Sequence, residues 1–183
     1  MAPNNFYLSF GRHGRYGTDT PILRSDMIAA FLSGKQLQEF LPSCAAIYHS
    51  PLARAEQTAL FQALGMKCNH LLCVNYLIEN ATKFEINKFI NQLLQNSDDT
   101  VSYYHFVTHL PVVEKLGLPF LGAGEICLLS AENKEAMLAE DFSVQLIKKP
   151  EISAEIWQKL HLTPPQLESL SAAEIYQKLQ SLL

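Results

Sequence analysis

The tripeptide Arg12-His13-Gly14 carries the clearest chemistry in the sequence. It stands one residue beyond an apolar run at residues 6–10, where a buried strand would end. A neutral imidazole is a nucleophile, and an arginine forms a planar fork that matches two phosphate oxygens. The residue types and their position therefore predict that His13 attacks phosphorus while Arg12 holds the phosphate.

A second arginine stands in a comparable position. Residues 50–59 follow an apolar run at residues 45–48 and indicate a strand that passes into a helix. Ser50 suits the N-cap of that helix, and Pro51 suits its first turn. Arg54 then falls near the positive end of the helix dipole, where an anion binds.

A second histidine, His109, follows a strand predicted over residues 101–107. The carboxyl ends of parallel strands meet at one edge of a sheet, in the crevice where such proteins bind ligands. The intervals that separate His13, Arg54 and His109 are long enough for helical crossovers between strands. The sequence therefore predicts that these side chains converge with Arg12 on one anion site.

Three segments resemble sequence elements of the histidine phosphatase superfamily, also called the phosphoglycerate mutase-like family. Residues 12–14 match its R-H-G tripeptide, residues 50–59 its S-P-L-x-R-A-x-Q-T-A segment, and residues 107–111 its V-G-H-N-P segment. The resemblance extends from about Phe6 to about Ile147. It implies an α/β fold, a three-layer α/β/α sandwich with a mostly parallel central sheet. The alternation of predicted strands and helices implies the same class.

The resemblance also implies a role for each matching residue. His13 corresponds to the nucleophile that becomes phosphorylated. Three residues correspond to those that surround the transferring phosphoryl group: Arg12, Arg54 and His109. Leu77-Ile78-Glu79 resembles an L-x-E element that often carries the proton donor, so Glu79 is the expected general acid.

The sequence departs from the family pattern at three places. Arg15-Tyr16-Gly17-Thr18 follows the tripeptide, where the family has an acidic residue or glutamine and then threonine; Arg15 and Thr18 are further candidates for substrate contact. Thr108 and Leu110 replace the glycine and asparagine of the third segment. The G-x-W-E-G element that often follows L-x-E in mutases is missing after Glu79. These differences concern the substrate and the acid more than phosphoryl transfer.

The chemistry predicts different protonation states for the two histidines when substrate is bound. His13 must be neutral at the attacking nitrogen, with its other nitrogen fixed by an acceptor such as a backbone carbonyl. His109 serves best when protonated, because it then donates to a phosphate oxygen. Nearby arginines lower both pKa values, and a bound phosphate raises them. For Glu79 to act as the acid, burial or the phosphate charge must raise the pKa of its carboxyl.

These residues together predict a phosphatase that hydrolyses a phosphomonoester or a phosphoramidate through a phosphohistidine on His13. The substrate stays open between a phosphorylated small molecule and a phosphohistidine protein, since the short interval from Arg54 to His109 resembles the compact bacterial branch that acts on phosphohistidine. Mutase activity is disfavoured, because no second anion pocket is evident. The alternative is a catalytically weakened protein of the same fold that binds a phosphorylated ligand or serves as a scaffold.

The histidines predict no metal site, and nothing in the sequence indicates a cofactor. His105 and His109 form an H-x-x-x-H pair, but four residues of a strand span roughly 13 Å, too far for one ion. His105 is therefore expected to pack within the sheet, whereas His70 and His161 are expected at the surface. His49 either packs or points into the crevice, and packing is favoured.

Composition favours one domain in the cytoplasm. The 183 residues are 48% hydrophobic with a net charge of −4, which disfavours nucleic acid as a partner. No apolar stretch approaches the roughly 18 residues of a membrane span, and residues 1–5 lack the features of a secretory signal. The four cysteines are scattered, which indicates free thiols in a reducing compartment.

The chain is expected to divide at residue 150. Residues 1–150 form the phosphatase-like domain, and residues 151–183 form a C-terminal helical extension packed on it. A homodimer contact and a docking site for a partner are the alternatives for this extension. Helices are predicted at residues 33–41, 84–94, 153–160 and 165–183, and an antiparallel edge pair of strands at residues 125–129 and 142–147.

Overall fold

The computed structural model describes residues 5–183. Residues 1–4, which belong to the segment expected to lack a secretory signal, lie outside the described residues. Within the described part, the chain forms six strands and eight α-helices, with a short 3-10 helix at Asn75–Leu77. None of these helices is long and apolar enough to cross a bilayer.

Strands and helices alternate along most of the chain. The strands are β1 (Phe6–Arg12), β2 (Ala46–His49), β3 (Leu71–Cys73), β4 (Tyr103–Thr108), β5 (Ile126–Ala131) and β6 (Ser143–Ile147). The helices are α1 (Arg24–Phe40), α2 (Ala53–Met66), α3 (Lys83–Asn96), α4 (Leu110–Lys115), α5 (Lys134–Leu138), α6 (Ala154–Leu160), α7 (Pro164–Leu167) and α8 (Ala172–Gln180).

The strands form one sheet in the order β3-β2-β4-β1-β5-β6. The first four are parallel, whereas β5 and β6 join antiparallel at one side. β1 and β4 are central, with Leu8 aligned to Tyr104. The predicted mostly parallel sheet and the predicted antiparallel edge pair are both confirmed.

Helices cover both faces of the sheet, which makes three layers. On one face of β1, Phe6, Leu8 and Phe10 pack with α3, α4 and α5. The opposite face of the sheet carries a second apolar cluster, formed with α1 and α2. Burying one large apolar side chain contributes about 1.5–3 kcal/mol, so these clusters hold the strands in register. The predicted sandwich architecture is confirmed.

Helices α1 and α2 approach each other closely at Gly34. A side chain at this position would place its Cβ 2.3 Å from the Gln62 carbonyl oxygen, so only glycine fits without a shift of the backbone. This contact fixes the position of α2, which carries Arg54 in its first turn.

The C-terminal helices α6, α7 and α8 pack against α1 and α2. Phe31 and Phe61 share a third apolar cluster with residues from all three helices. The sequence predicted two helices in this region where the structure has three, because Ser171 begins a new helix through a capping box with Glu174. The domain boundary at residue 150 stays a prediction.

One further local expectation fails, and one strand was not predicted. The sequence pattern places a helix start at Ser33, but α1 begins well before it, and the Ser33 hydroxyl donates inside the helix to the Ala29 carbonyl at 3.0 Å. Strand β3 is short and partly exposed, and no sequence pattern indicated it. The helix predicted at residues 84–94 is confirmed as α3, which starts with a capping box of Thr82 and Glu85.

Candidate active site

Three parallel strands end at the same edge of the sheet, and each leads into a polar residue. β1 leads into His13, β2 into Ser50 and β4 into His109. Backbone hydrogen bonds fix these ends: the N–H of His13 donates to the Thr108 carbonyl at 3.1 Å, and that of Ser50 to the Val107 carbonyl at 3.0 Å. The centroids of the two histidine rings lie 4.9 Å apart. The structure therefore brings His13 and His109 together.

The ring of His13 is held in a single tautomer. Its Nδ1 lies 2.7 Å from the Gly14 carbonyl oxygen, which only accepts hydrogen bonds, so Nδ1 carries the proton. The Nε2 atom is left with a lone pair, and the Nε–H of Arg54 donates to it at 3.0 Å. Gly14 is packed tightly, since a Cβ on it would lie 2.9 Å from the Cβ of Asp26. The nucleophilic nitrogen thus faces a guanidinium group.

The surroundings keep His13 neutral. Burial lowers its pKa, the hydrogen bond to the Gly14 carbonyl acts in the opposite direction, and the charges of Arg54 and Arg12 lower it further. The net effect is a pKa below the usual value of a histidine. A neutral ring at neutral pH is the form that a nucleophile requires.

The guanidinium of Arg54 has three partners. It donates to His13, forms an ion pair with the carboxylate of Glu79, and lies under the ring of Tyr16, 5.0 Å from the ring centroid. Glu79 follows the 3-10 helix, and Lys115 donates to its backbone carbonyl at 2.6 Å. The Glu79 carboxylate therefore pairs with Arg54, the guanidinium group that the sequence predicts to bind phosphate.

His109 is completely buried at the start of α4. Its Nε2 lies 2.7 Å from the Ser50 hydroxyl, whereas its Nδ1 has no hydrogen-bond partner and lies 3.4 Å from a Glu79 carboxylate oxygen. Burial, followed by the charges of His13, Arg54 and Arg12, lowers the pKa of His109 to about 3. The expected N-cap role of Ser50 is wrong: Leu52 is the N-cap residue of α2, and Ser50 holds His109.

Arg12 is fixed by the loop before β5. Its Nη1 donates to the Leu121 carbonyl at 2.9 Å, and the N–H of Gly124 donates to the carbonyls of Arg12 and His13. Across residues 5–183, two buried side-chain nitrogens lack a partner, Nε of Arg12 and Nδ1 of His109. Buried polar atoms are nearly always hydrogen-bonded, so both mark a place where a ligand would supply the missing partner.

Comparisons with known proteins bear on this geometry. No protein-family model matches the sequence, and a search of the curated proteins finds no match. Solved structures do match. The protein histidine phosphatase SixA, complexed with tungstate, aligns with a TM-score of 0.64 at 15% identity, over 79% of this chain and 97% of that one. The chain has the histidine phosphatase fold.

Two other solved structures share this fold. Mycobacterial glucosyl-3-phosphoglycerate phosphatase aligns with a TM-score of 0.57 at 13% identity, over 80% of this chain and 100% of that one. Phosphoglycerate mutase from Plasmodium falciparum aligns with a TM-score of 0.52 at 22% identity, over 79% of this chain and 89% of that one. The family resemblance of the sequence is therefore confirmed as a resemblance of fold.

Arg15 and Thr18, two of the residues predicted to contact substrate, instead contact aspartate side chains outside the group of His13, Arg54 and His109. The backbone and guanidinium of Arg15 bind Asp26, at 2.6 and 2.7 Å, and Lys149 lies on the same carboxylate. The hydroxyl of Thr18 donates to Asp19. The structure brings together the other five candidates, Arg12, His13, Arg54, Glu79 and His109, and the roles of all seven residues stay predictions.

Tyr16 and Thr58 belong to the site, although sequence reasoning missed both. The ring of Tyr16 is 65% exposed and lies edge-on to His13, with centroids 5.8 Å apart. The Thr58 hydroxyl accepts from the N–H of Gly14 at 3.1 Å and donates to the Arg54 carbonyl at 2.8 Å. Thr58 lies inside the matched segment of residues 50–59, and Tyr16 lies two residues after the R-H-G tripeptide, so proximity to these motifs is the signal that points to them.

The other histidines lie outside the site. His105 is fully buried within the sheet, and His70 and His161 are exposed, as expected. His49 is buried with its Nδ1 2.9 Å from the Ser50 carbonyl, which agrees with a packing role. No group of three or more His, Cys, Asp or Glu side chains within residues 5–183 has the arrangement of a metal site.

Proposed function

We propose that the protein is a phosphatase that hydrolyses a phosphomonoester or a phosphoramidate through a phosphohistidine on His13. The observation that carries the proposal is the fixed tautomer of His13, whose Nε2 lone pair faces the Arg54 guanidinium. His109 and Arg12 stand beside it with unused hydrogen-bonding capacity. A phosphate dianion offers acceptor oxygens to Arg12 and His109 and an electrophilic phosphorus to the Nε2 lone pair of His13.

Substrate binding begins with an exchange of partners. The phosphate takes the place of the Glu79 carboxylate on Arg54 and accepts the Nε–H that otherwise points at His13. This exchange frees the lone pair of Nε2, which attacks phosphorus as the bond to the leaving group breaks. The charge of the transition state spreads over three oxygens, which the two arginines and His109 stabilise.

The protonation of His109 changes during binding. Burial and the neighbouring charges hold its pKa at about 3 in the empty site, so the ring is neutral at neutral pH. A bound dianion adds roughly two negative charges within hydrogen-bond reach, which raises the pKa of this ring. His109 then donates a hydrogen bond to a phosphate oxygen while His13 stays neutral. The pair thus differs in protonation state only when substrate is present.

Glu79 is the proposed proton donor to the leaving group: once the phosphate displaces its carboxylate from Arg54, the carboxylate takes a proton from solvent and passes it to the leaving oxygen. In the second step a water attacks the phosphohistidine, Glu79 accepts a proton from this water, and the N–P bond breaks to release inorganic phosphate. Glu79→Gln is expected to lower kcat/KM for an alkyl phosphate about 100-fold, because kcat/KM reports phosphorylation of His13 and a poor leaving group needs the proton, and kcat/KM for p-nitrophenyl phosphate by less than about threefold. Equal losses with both substrates would assign the proton to another group.

The substrate is a phosphorylated small molecule or a phosphohistidine protein. SixA is a protein histidine phosphatase by name, which supports the second class, and the mycobacterial neighbour is a glucosyl-3-phosphoglycerate phosphatase by name, which supports the first. A cytoplasmic protein without nucleic-acid or membrane partners is part of the proposal: the negative net charge disfavours nucleic acid, and the free cysteines among the described residues suit a reducing compartment. No cofactor is proposed, and a homodimer is a proposal for the oligomeric state.

The decisive test is a phosphoryl label on His13. The protein is incubated with acetyl phosphate or p-nitrophenyl phosphate, and we expect turnover together with an acid-labile, base-stable phosphate on His13. His13→Ala should lose turnover by at least about three orders of magnitude, whereas His70→Ala, at an exposed position, serves as the matched control. Near-normal activity of His13→Ala would overturn the mechanism. Phosphate or vanadate binding without label or turnover would favour the binding-protein alternative.

A further inference from the structure

Two cysteines that play no part in the proposed reaction lie side by side. Cys44 precedes β2 and Cys68 follows α2, 24 positions later in the sequence. The Sγ of Cys68 donates to the Cys44 carbonyl at 3.5 Å, and the Sγ of Cys44 donates to the Ala46 carbonyl at 3.3 Å. The Cys68 thiol therefore contacts residue Cys44, and both thiols are free.

We propose that Cys44 and Cys68 form a redox-active dithiol that hydrogen peroxide closes to a disulfide. Because Cys44 is half-buried and Cys68 is buried, the proposed oxidant is a small molecule. Because the Cys68 sulfur lies against residue Cys44, the Cys44 thiol has a short path to an oxidised Cys68.

The electrostatics of the pair select the attacking sulfur. The neighbouring Cys44 thiol lowers the pKa of Cys68 to about 6, and the Cys68 thiol and burial raise the pKa of Cys44. A thiolate at Cys68 is the stronger nucleophile of the two. Cys127, by contrast, is buried in β5, where burial raises its pKa to about 11.

The oxidation has two steps. The Cys68 thiolate attacks one oxygen of hydrogen peroxide, the O–O bond breaks, and the departing hydroxide takes a proton to become water. Cys68 is then a sulfenic acid. The Cys44 sulfur attacks the Cys68 sulfur, the S–O bond breaks, and a second water leaves with the Cys44 proton. Two thiols and one peroxide thus give one disulfide and two waters.

The dithiol and the proposed active site lie at opposite ends of β2. Cys44 stands before the first residue of this strand, and Ser50 stands after its last. The four strand residues between them span roughly 13 Å. The disulfide would link the start of β2 to the end of α2 and is expected to leave phosphatase turnover intact, so failure of one proposal does not imply failure of the other.

Peptide mapping of the full-length protein tests the proposal directly. The reduced protein is treated with equimolar hydrogen peroxide, free thiols are alkylated, and the digest is analysed by mass spectrometry. We expect one linked peptide pair that contains Cys44 and Cys68 and disappears with reductant, while Cys127 is recovered alkylated. Recovery of Cys44 and Cys68 as alkylated thiols, after the exposed Cys73 has been oxidised, would overturn the proposal.

Two variants complete the test. Cys73→Ser, the matched control at an exposed cysteine, should keep the linkage, and Cys44→Ser should stop at a Cys68 sulfenic acid that dimedone captures. Oxidation should raise the Tm of the wild type by about 5–10 °C, because the disulfide restricts the unfolded chain, and should not raise that of Cys44→Ser. If Cys44→Ser does not fold, the wild-type peptide map decides alone. A linkage from Cys68 to Cys73 instead would contradict the assignment.

Discussion

His105 and His109 stand four residues apart on the same stretch of chain, yet their surroundings differ completely. Both side chains are fully buried. His105 lies inside the sheet with a partner on each nitrogen, Ser9 at 2.6 Å and Gln62 at 3.0 Å. His109 lies at the carboxyl edge of the sheet with a partner on one nitrogen only. The two rings thus show what distinguishes a structural histidine from a candidate functional one.

Each nitrogen of the His105 ring has a hydrogen-bond partner whose donor or acceptor role is defined. The Gln62 side-chain oxygen only accepts, so Nε2 of His105 donates to it and Nδ1 accepts from the Ser9 hydroxyl. Ser9 in turn accepts from the Tyr103 hydroxyl at 2.8 Å. Nothing in this network is left for a ligand, whereas an unsatisfied buried nitrogen such as Nδ1 of His109 costs stability that a bound phosphate would return.

Replacing each ring in turn by glutamine gives the largest expected contrast. His109→Gln removes the group that becomes cationic when phosphate binds, so kcat is expected to fall by about 10²–10³-fold. His105→Gln, the same change within the sheet, should leave kcat of the folded protein within about threefold. Steady-state kinetics with circular dichroism as a folding check measure both. An equal fall of kcat in the two folded variants would contradict the assignment of a functional role to His109 and a structural role to His105.

Acid sensitivity is the next largest effect, and both buried rings, His105 and His109, contribute to it because burial lowers the pKa of each. Burial lowers the pKa of His105 to about 3, from 6.5 for a free histidine. Below pH 6.5 the unfolded chain takes up a proton that the folded chain refuses until about pH 3, so the free energy of unfolding falls by about 1.4 kcal/mol per pH unit for this histidine.

Denaturant titrations between pH 6 and pH 4 measure this slope. His105→Gln is expected to be less stable at neutral pH but to lose less stability with acid, by about 3 kcal/mol over two pH units. His70→Gln, at an exposed position, should keep the slope of the wild type. Parallel slopes for wild type and His105→Gln would show that another group governs the acid response.

The sequence predicts most of the fold because local patterns and burial agree there. Apolar runs locate the central strands, and β1 extends to Arg12 because its last residues still pair with β4. The start of α1 was missed because Leu23, its N-cap residue, offers no side-chain cap to recognise. β3 was missed because three residues carry too little pattern, and its pairing with β2 defines it.

In the candidate site, too, some features follow from the sequence and others only from the structure. The motifs locate His13, Arg54 and His109, because each directly follows a strand or begins a helix. The partner of each group does not follow from the sequence. Glu79 lies against Arg54, and Ser50 lies against His109, only because separate strands and loops bring them together. Side-chain contacts between distant segments require the folded chain.

Tyr16 supplies the smallest expected effect and sharpens the contrast between buried and exposed groups. Its ring lies over the Arg54 guanidinium but is largely exposed, and a cation–π contact at such a place contributes about 0.5–1 kcal/mol. Tyr16→Ala should therefore lower kcat/KM by about two- to fivefold, while Tyr16→Phe keeps the ring face and stays near the wild type.

Kinetics with p-nitrophenyl phosphate separate these outcomes. The loss in Tyr16→Ala should fall mainly on KM, because the ring positions Arg54 before phosphate arrives and does not touch the reacting atoms. A loss confined to kcat, or an equal loss in Tyr16→Phe, would instead assign a chemical role to the hydroxyl. A loss as large as that of His109→Gln would show that exposure is a poor guide to function in this site.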